Sequence, residues 1–166
     1  LEGRSLVEAG QARQIKDLIG EAIQQTRTLS RGLFPAAMDQ TGLKGSLEDL
    51  AAGVEQMFRV SCQVEGDFDG KILDRAKATH LFRIAQEAVS NALRHGKASH
   101  IRISLGADGE GSLLCVLDDG VGVADIPLDG GGMGLRSMKY RAEVIGASFE
   151  IAAGPQGGTQ VRCRFQ

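Results

Sequence analysis

Thirteen of the chain's 23 glycines lie between Gly106 and Gly158, and no other feature restricts the fold as much. Glycine makes up about 14% of the 166 residues, twice the usual ~7%. A flexible linker of such composition would be Ser-rich and without periodic apolar runs. This stretch is instead interrupted by strand-like and helix-like segments, so its glycines read as turns and as points where backbones approach closely.

The rest of the composition bounds the class. One domain of ordinary size, with room for a helical appendage, is what 166 residues allow. A net charge of −2, a single Tyr and no Trp argue against nucleic acid as a partner, since phosphate contacts need a basic excess and bases need aromatic faces. The longest unbroken apolar run is Leu113 to Leu117, far below the roughly 20 residues a spanning helix requires. Cys62, Cys115 and Cys163 are far apart and form no C-x-x-C pair, so they read as buried thiols of a cytoplasmic protein. The start at Leu1 carries no signal-peptide pattern, and the chain reads as a piece of a longer protein.

Apolar side chains at Ile15, Ala22 and Leu29, and again at Ile19, Thr26 and Leu33, recur every seven residues, which predicts a bundle or coiled-coil seam ended by Pro35. A second helix is expected from about Leu43, with Leu47, Leu50, Val54 and Phe58 on one face. Val60 to Val64 alternates like a strand. The longest helical stretch is expected from about Leu73 to His95, with Leu81, Ala85, Ala88 and Ala92 buried and Glu87, Asn91 and Arg94 in one polar stripe bordered by His95. Strands at Ile101–Leu105 and Leu113–Leu117 follow, then a helix spaced by Leu135, Met138, Ala142 and Ile145. Residues 148 to 152 and 159 to 165 read as a hairpin. This order predicts an α+β domain with helices on one face of a mixed or mostly antiparallel sheet.

Three segments carry chemistry. Gln86-Glu87-Ala88-Val89-Ser90-Asn91-Ala92-Leu93-Arg94-His95 presents a carboxylate, a carboxamide and bases from one side of a helix, as oxygen ligands for Mg²⁺ and a cation for phosphate would be presented. A solvated helix face is the plainer reading of that segment alone. Asp118-Asp119-Gly120-Val121-Gly122 places an acceptor at a strand end, able to receive the amino group of a base, although a simple turn is nearly as good an account. Gly130-Gly131-Gly132-Met133-Gly134-Leu135 opens a helix whose free N–H groups attract phosphate.

In this order and spacing, followed by Gly157-Gly158-Thr159, the segments resemble the N, G1 and G2 boxes and the terminal G-T of the GHKL (HATPase) ATPase superfamily. Gly134-Leu135-Arg136-Ser137-Met138-Lys139-Tyr140-Arg141-Ala142 through Ala147 is similar to sensor histidine kinases of the nitrate-sensor (HisKA type 3) subfamily. Arg27-Thr28-Leu29-Ser30-Arg31-Gly32-Leu33-Phe34-Pro35 and Thr41-Gly42-Leu43 resemble the second dimerisation helix of that subfamily and the helix after it. The resemblance implies a Bergerat-type α/β sandwich over 37–166, a dimerisation helix over 1–36 and ATP with Mg²⁺ as ligands. It implies that Asn91 ligates Mg²⁺, with Glu87 in the outer shell, and that Arg94 and His95 contact phosphate. Asp118 would select adenine with Thr159 holding a bridging water, Gly120 and Gly122 would keep the lid root close, and Gly132, Gly134 and Leu135 would form the phosphate cradle.

Such kinases phosphorylate a histidine followed by an acidic residue, whereas the three histidines here precede Leu81, Gly96 and Ile101. The acceptor helix is thus expected outside this chain, with His80 on a helix surface and His100 at a strand start. No G-x-F-x-P-F-like lid segment lies between Gly122 and Gly130, Asp119 stands where Asn is more usual, and Ala147 where a second Gly is common. The implied partners are a response regulator with a helix-turn-helix output domain, the protein's own acceptor helix and a second copy in a homodimer, in the cytoplasmic part of a receptor that a membrane can anchor elsewhere. Two alternatives stay open at this point, a serine kinase of the same superfamily and a nucleotide-binding adaptor without catalysis.

Overall fold

A computed structural model describes residues 38–66, 73–107, 109, 111–122 and 132–166. The seam expected over 11–33, and the domain assigned to 1–36, lie outside the described residues. The elements run α1 (Met38–Phe58), β1 (Ser61–Glu65), α2 (Arg75–Asn91), a π-helical turn (Ala92–Gly96), β2 (His100–Ala107), β3 (Ser112–Asp118), α3 (Met133–Val144), β4 (Ser148–Ala153) and β5 (Thr159–Phe165). They form one five-stranded sheet of order β1-β2-β3-β5-β4. Only the β1–β2 pair is parallel, with Cys62 opposite Ile101, and α2 is the crossover such a pair needs. The β2–β3, β3–β5 and β4–β5 pairs are antiparallel, the last being the expected hairpin.

One sheet face is apolar because side chains alternate along each strand. Ile101, Ile103 and Leu105 of β2, Leu114 and Val116 of β3, and Val161, Cys163 and Phe165 of β5 are all buried. The residues between them on β2, His100 and Arg102, are exposed. The helices lie over the apolar face, α1 against β1, α2 against β3 and α3 against β4. This is an α+β arrangement, helices on one face of a mixed sheet, as expected.

Two helices differ from their sequence reading. Gly42 has φ 68° and breaks α1, so that the regular helix runs from Leu43 and the Ser46 hydroxyl donates to the Gly42 carbonyl at 3.0 Å. Its buried row is Leu43, Leu47, Ala51 and Val54, while Phe58 is 37% exposed. Phe58 was expected on the buried face. It is the last residue of the helix. α2 starts where Asp74 caps it, its carboxylate accepting from the Lys77 backbone N–H at 2.8 Å. Leu81, Ala85, Ala88 and Ala92 are buried as expected, joined by Ile84 and Val89. The α-helix does not continue to His95, however, since residues 92 to 96 form the π turn and Lys97 leaves it at φ 51°. His80 is half-buried rather than a surface residue, and among the described residues its shielded Nδ1 has no hydrogen-bond partner.

All three cysteines are free and buried. Burial pushes the Cys62 and Cys163 thiols up to about 11, for Cys62 with help from the Glu55 carboxylate. Thiols held protonated in this way are inert core groups.

Candidate nucleotide-binding site

The ends of the elements surround a cleft of about 430 Å³, a volume suited to a small organic ligand. Its floor is the C-terminal end of β3. Asp118 is 8% exposed, and its Oδ1 accepts from the backbone N–H groups of Gly120 at 2.9 Å and Thr159 at 3.2 Å. Among the described residues nothing bonds its Oδ2, so one carboxylate oxygen is left as an acceptor of fixed direction.

Bare backbone packs around that carboxylate. A Cβ on Gly158 (φ 73°) would collide with the Asp118 carbonyl oxygen, and one on Gly120 with the Gly96 carbonyl. Gly122 (φ 80°) would bring a Cβ to 3.0 Å from the Gly158 carbonyl. Val121 donates its N–H to the Gly96 carbonyl at 2.9 Å, which ties the loop after β3 to the end of the π turn. Close approach excludes a side chain at Gly120 and Gly158, and the left-handed φ adds to it at Gly158 and Gly122.

The opposite wall is the polar side of α2. Glu87 and Asn91 come from the α-helix, and the wider π turn then brings Arg94, His95 and Gly96 in succession to the same cleft. π turns recur at functional sites for this reason, since they redirect side chains without ending the helix. Arg94 Nη2 lies 3.8 Å from Glu87 Oε1, a loose and solvent-exposed pair. The third wall is the start of α3. Gly132 precedes it without a side-chain cap, which leaves its first N–H groups for a ligand. Glu87 Oε1 occupies the space a Cβ on Gly134 would need, and that same Cβ would sit 3.5 Å from Asn91 Nδ2.

Between these walls lie Val116, Leu135, Met138, Ile151 and Val161, an apolar bed for a flat ring. The cleft brings together Glu87, Asn91, Arg94, His95, Asp118, Gly122, Gly132, Gly134, Leu135 and Thr159 from the sequence reading. Gly120 stands behind it, against Gly96. Gly132 has open space on its Cβ side and φ −58°, so nothing steric requires glycine there. The sequence reading missed Gly96 and the apolar lining by Val116, Met138, Ile151 and Val161, and it noted Asp119 without giving it a contact. Asp119 points away from the cleft and accepts from the Ser99 and His100 N–H groups, both at 2.8 Å. Ile151 and Val161 carried a signal in their strand alternation, whereas the partners of Asp119, 19 and 20 residues away, carried none.

Comparison with known proteins agrees with this geometry. Residues 76–166 match the model of the family described as histidine kinase-, DNA gyrase B-, and HSP90-like ATPase. The chain is 34% identical over 152 residues to the sensor histidine kinase LiaS of Bacillus subtilis, covering 92% of this chain and 42% of that protein. It is 31% identical over 150 residues to the sensor protein VraS of Staphylococcus saprophyticus, covering 90% and 43%. It therefore spans less than half the length of these relatives. Among solved structures, the histidine kinase domain of the Erythrobacter litoralis EL346 blue-light activated histidine kinase superposes with TM-score 0.60 at 21% identity, over 74% of this chain and 60% of that one. The ATP binding domain of PrrB from Mycobacterium tuberculosis superposes with TM-score 0.61 at 17% identity, over 74% and 92%. With the family model matched over more than half of its residues and the sheet, helices and cleft arranged as described, the chain belongs to the histidine kinase-, DNA gyrase B- and HSP90-like ATPase family.

Proposed function

We propose that this chain is the ATP-binding catalytic region of a two-component sensor histidine kinase, which transfers the γ-phosphoryl group of ATP to a histidine on a dimerisation helix. One observation supports this most: a buried strand-end carboxylate with a free oxygen faces a carboxylate–carboxamide–guanidinium stripe across a cleft of about 430 Å³. Asp118 Oδ2 accepts the exocyclic amine of adenine, and the ring rests on the apolar bed around Met138 and Val161. Thr159 holds a water beside the base. Arg94 and His95, with the N–H groups of Met133 and Gly134 at the start of α3, meet the phosphates.

The residues also fit a magnesium ion delivered with the nucleotide. Among the described residues no cluster of three acidic, His or Cys side chains could hold a metal alone, and Mg²⁺ characteristically takes one or two protein oxygens plus phosphate oxygens. Asn91 is placed to be that ligand, with Glu87 outside it. Bound Mg²⁺ neutralises the charge that develops on the phosphates. In the transfer, the bond from the γ-phosphorus to the bridging oxygen breaks, a P–N bond to the imidazole forms, ADP leaves, and the imidazole proton passes to the acidic residue beside the acceptor histidine.

The domain is placed in the cytoplasm, as part of a homodimer that passes the phosphoryl group to a response regulator with a helix-turn-helix output. Among the described residues no helix is long and apolar enough to cross a membrane.

Calorimetry with ATP and GTP in the presence of Mg²⁺ tests the binding half. Asp118→Asn should weaken ATP about 30-fold and lower discrimination against GTP, as one charge-assisted hydrogen bond is lost. Equal affinity and equal discrimination in that variant would refute the adenine assignment. Incubation with labelled ATP tests the transfer half: the chain alone should stay unlabelled, and acid-labile phosphate should appear on a supplied acceptor helix. Acid-stable label on serine would instead identify the related serine-kinase chemistry.

A further inference from the structure

Asp118 and Asp119 are neighbours at a strand end, so their side chains leave on opposite sides of the sheet. Asp118 faces the cleft, and Asp119 faces the other side, where an exposed carboxylate is ordinarily left to water. Here both of its oxygens are engaged. Oδ1 accepts from the backbone N–H groups of Ser99 and His100, each at 2.8 Å, and Oδ2 lies 2.8 Å from His100 Nδ1. The Asp119 N–H in turn donates to the His100 carbonyl at 3.2 Å. These bonds hold its carboxyl down to about 2.

What they join is as informative as their number. Ser99 and His100 come three and four residues after the π turn that carries Arg94 and His95, and Gly96 of that turn already accepts from Val121. Asp119 therefore fastens the exit of α2, which presents the phosphate-facing side chains, to the strand end that presents Asp118. A ligand gripped at two ends gains affinity only if the two grips are held at the right separation before it arrives. We infer that Asp119 is a positioning residue, which sets the register between the phosphate-facing end of α2 and the adenine-facing carboxylate of Asp118. The role rests on the nucleotide reading of the cleft and goes beyond it, because Asp119 itself touches neither end of the ligand.

The charged groups around Asp119 are few. Apart from Asp118, the cleft on its side of the sheet is lined by His100 and Arg102, and Arg102 Nε is held by Glu65 at 3.2 Å. His100 is thus the side chain that faces it, and the two variants treat the fastening differently. Asp119→Ala removes it. Asp119→Asn keeps an oxygen for the two backbone amides.

The test is calorimetry on the parent and both variants with three probes: ATP with Mg²⁺, adenosine alone and inorganic tripolyphosphate alone. Asp119→Ala should weaken ATP by about tenfold while each half-ligand changes by less than about twofold, since neither half depends on the separation. Asp119→Asn, which keeps an acceptor for the Ser99 and His100 amides, should bind ATP within about threefold of the parent. An equal loss for ATP and adenosine would assign Asp119 a merely local effect on Asp118 and overturn the proposal, as would an Asp119→Asn variant that binds ATP no better than Asp119→Ala. A parent that binds ATP and an alanine variant that binds it as well overturn the positioning role alone. A parent that binds none of the three overturns the nucleotide reading and this role with it.

Discussion

The two ends of the cleft are built from different materials. Around Asp118 the walls are main chain: Gly158 and Gly120 approach carbonyl oxygens so closely that no Cβ fits, and backbone amides hold the carboxylate. Around Asn91 they are side chains: Arg94 and His95 are exposed, Glu87 is loosely paired, and Gly132 has open space beside it. Backbone fixed by its own hydrogen bonds cannot adjust without unfolding locally, whereas long side chains reorient at little cost. The difference suits a site that recognises one base at a fixed place and lets phosphates and metal change during a reaction.

Four substitutions or conditions sharpen that contrast. The largest effect is expected from Asn91→Ala, which should lower phosphotransfer in trans by about 100-fold while leaving the melting temperature nearly unchanged, because the side chain is half-exposed and its proposed role is to hold metal and phosphate rather than the fold. An equal loss of stability would mean that the phosphate end is as rigid as the adenine end. Gly158→Ala should destabilise the fold by about 2–4 kcal/mol in denaturant titrations, since the added Cβ meets the Asp118 carbonyl at a residue with φ 73°.

Acid should act on the back of the adenine end next. Asp119 has its carboxyl lowered from 3.8 to about 2, so its bonds contribute stability that is complete above about pH 4 and is lost as the pH falls towards 2. Urea midpoints at pH 4.5 and 2.5 should therefore drop further for the parent than for Asp119→Ala. The smallest effect is expected from Gly132→Ala, within about 0.5 kcal/mol and about threefold in ATP affinity, because φ is −58° and nothing lies within 4 Å. If Gly132→Ala abolished binding, the contrast between the two ends would fail.

Much of this was legible beforehand, and the pattern of success is physical. Leu81, Ala85, Ala88 and Ala92 announced the buried face of α2 because helical period is a local property. Asp118, Gly120 and Gly122 announced a tight strand end for the same reason. Phe58 misled, since its spacing matched the buried row of the helix while the folded arrangement leaves it 37% exposed at the helix end. The π turn left no mark in the apolar periodicity, because Leu93 to Gly96 fits an ordinary helix equally well. Asp119 drew notice only as a departure from Asn, and its fastening to Ser99 and His100 spans a loop and a whole strand pair.

Which face each helix or strand would bury followed from spacing along the chain, since side-chain direction depends on the nearest few residues, whereas the roles proposed toward adenine, phosphate and metal rest on the resemblance of the ordered segments to a known superfamily. The pairing of β1 parallel to β2, the placing of β5 between β3 and β4, and the closeness of Gly96 to Gly120 and of Gly158 to Asp118 came from the folded arrangement. Those contacts join segments far apart in sequence. They exist because the sheet order brings strand ends side by side and glycine lets their backbones touch.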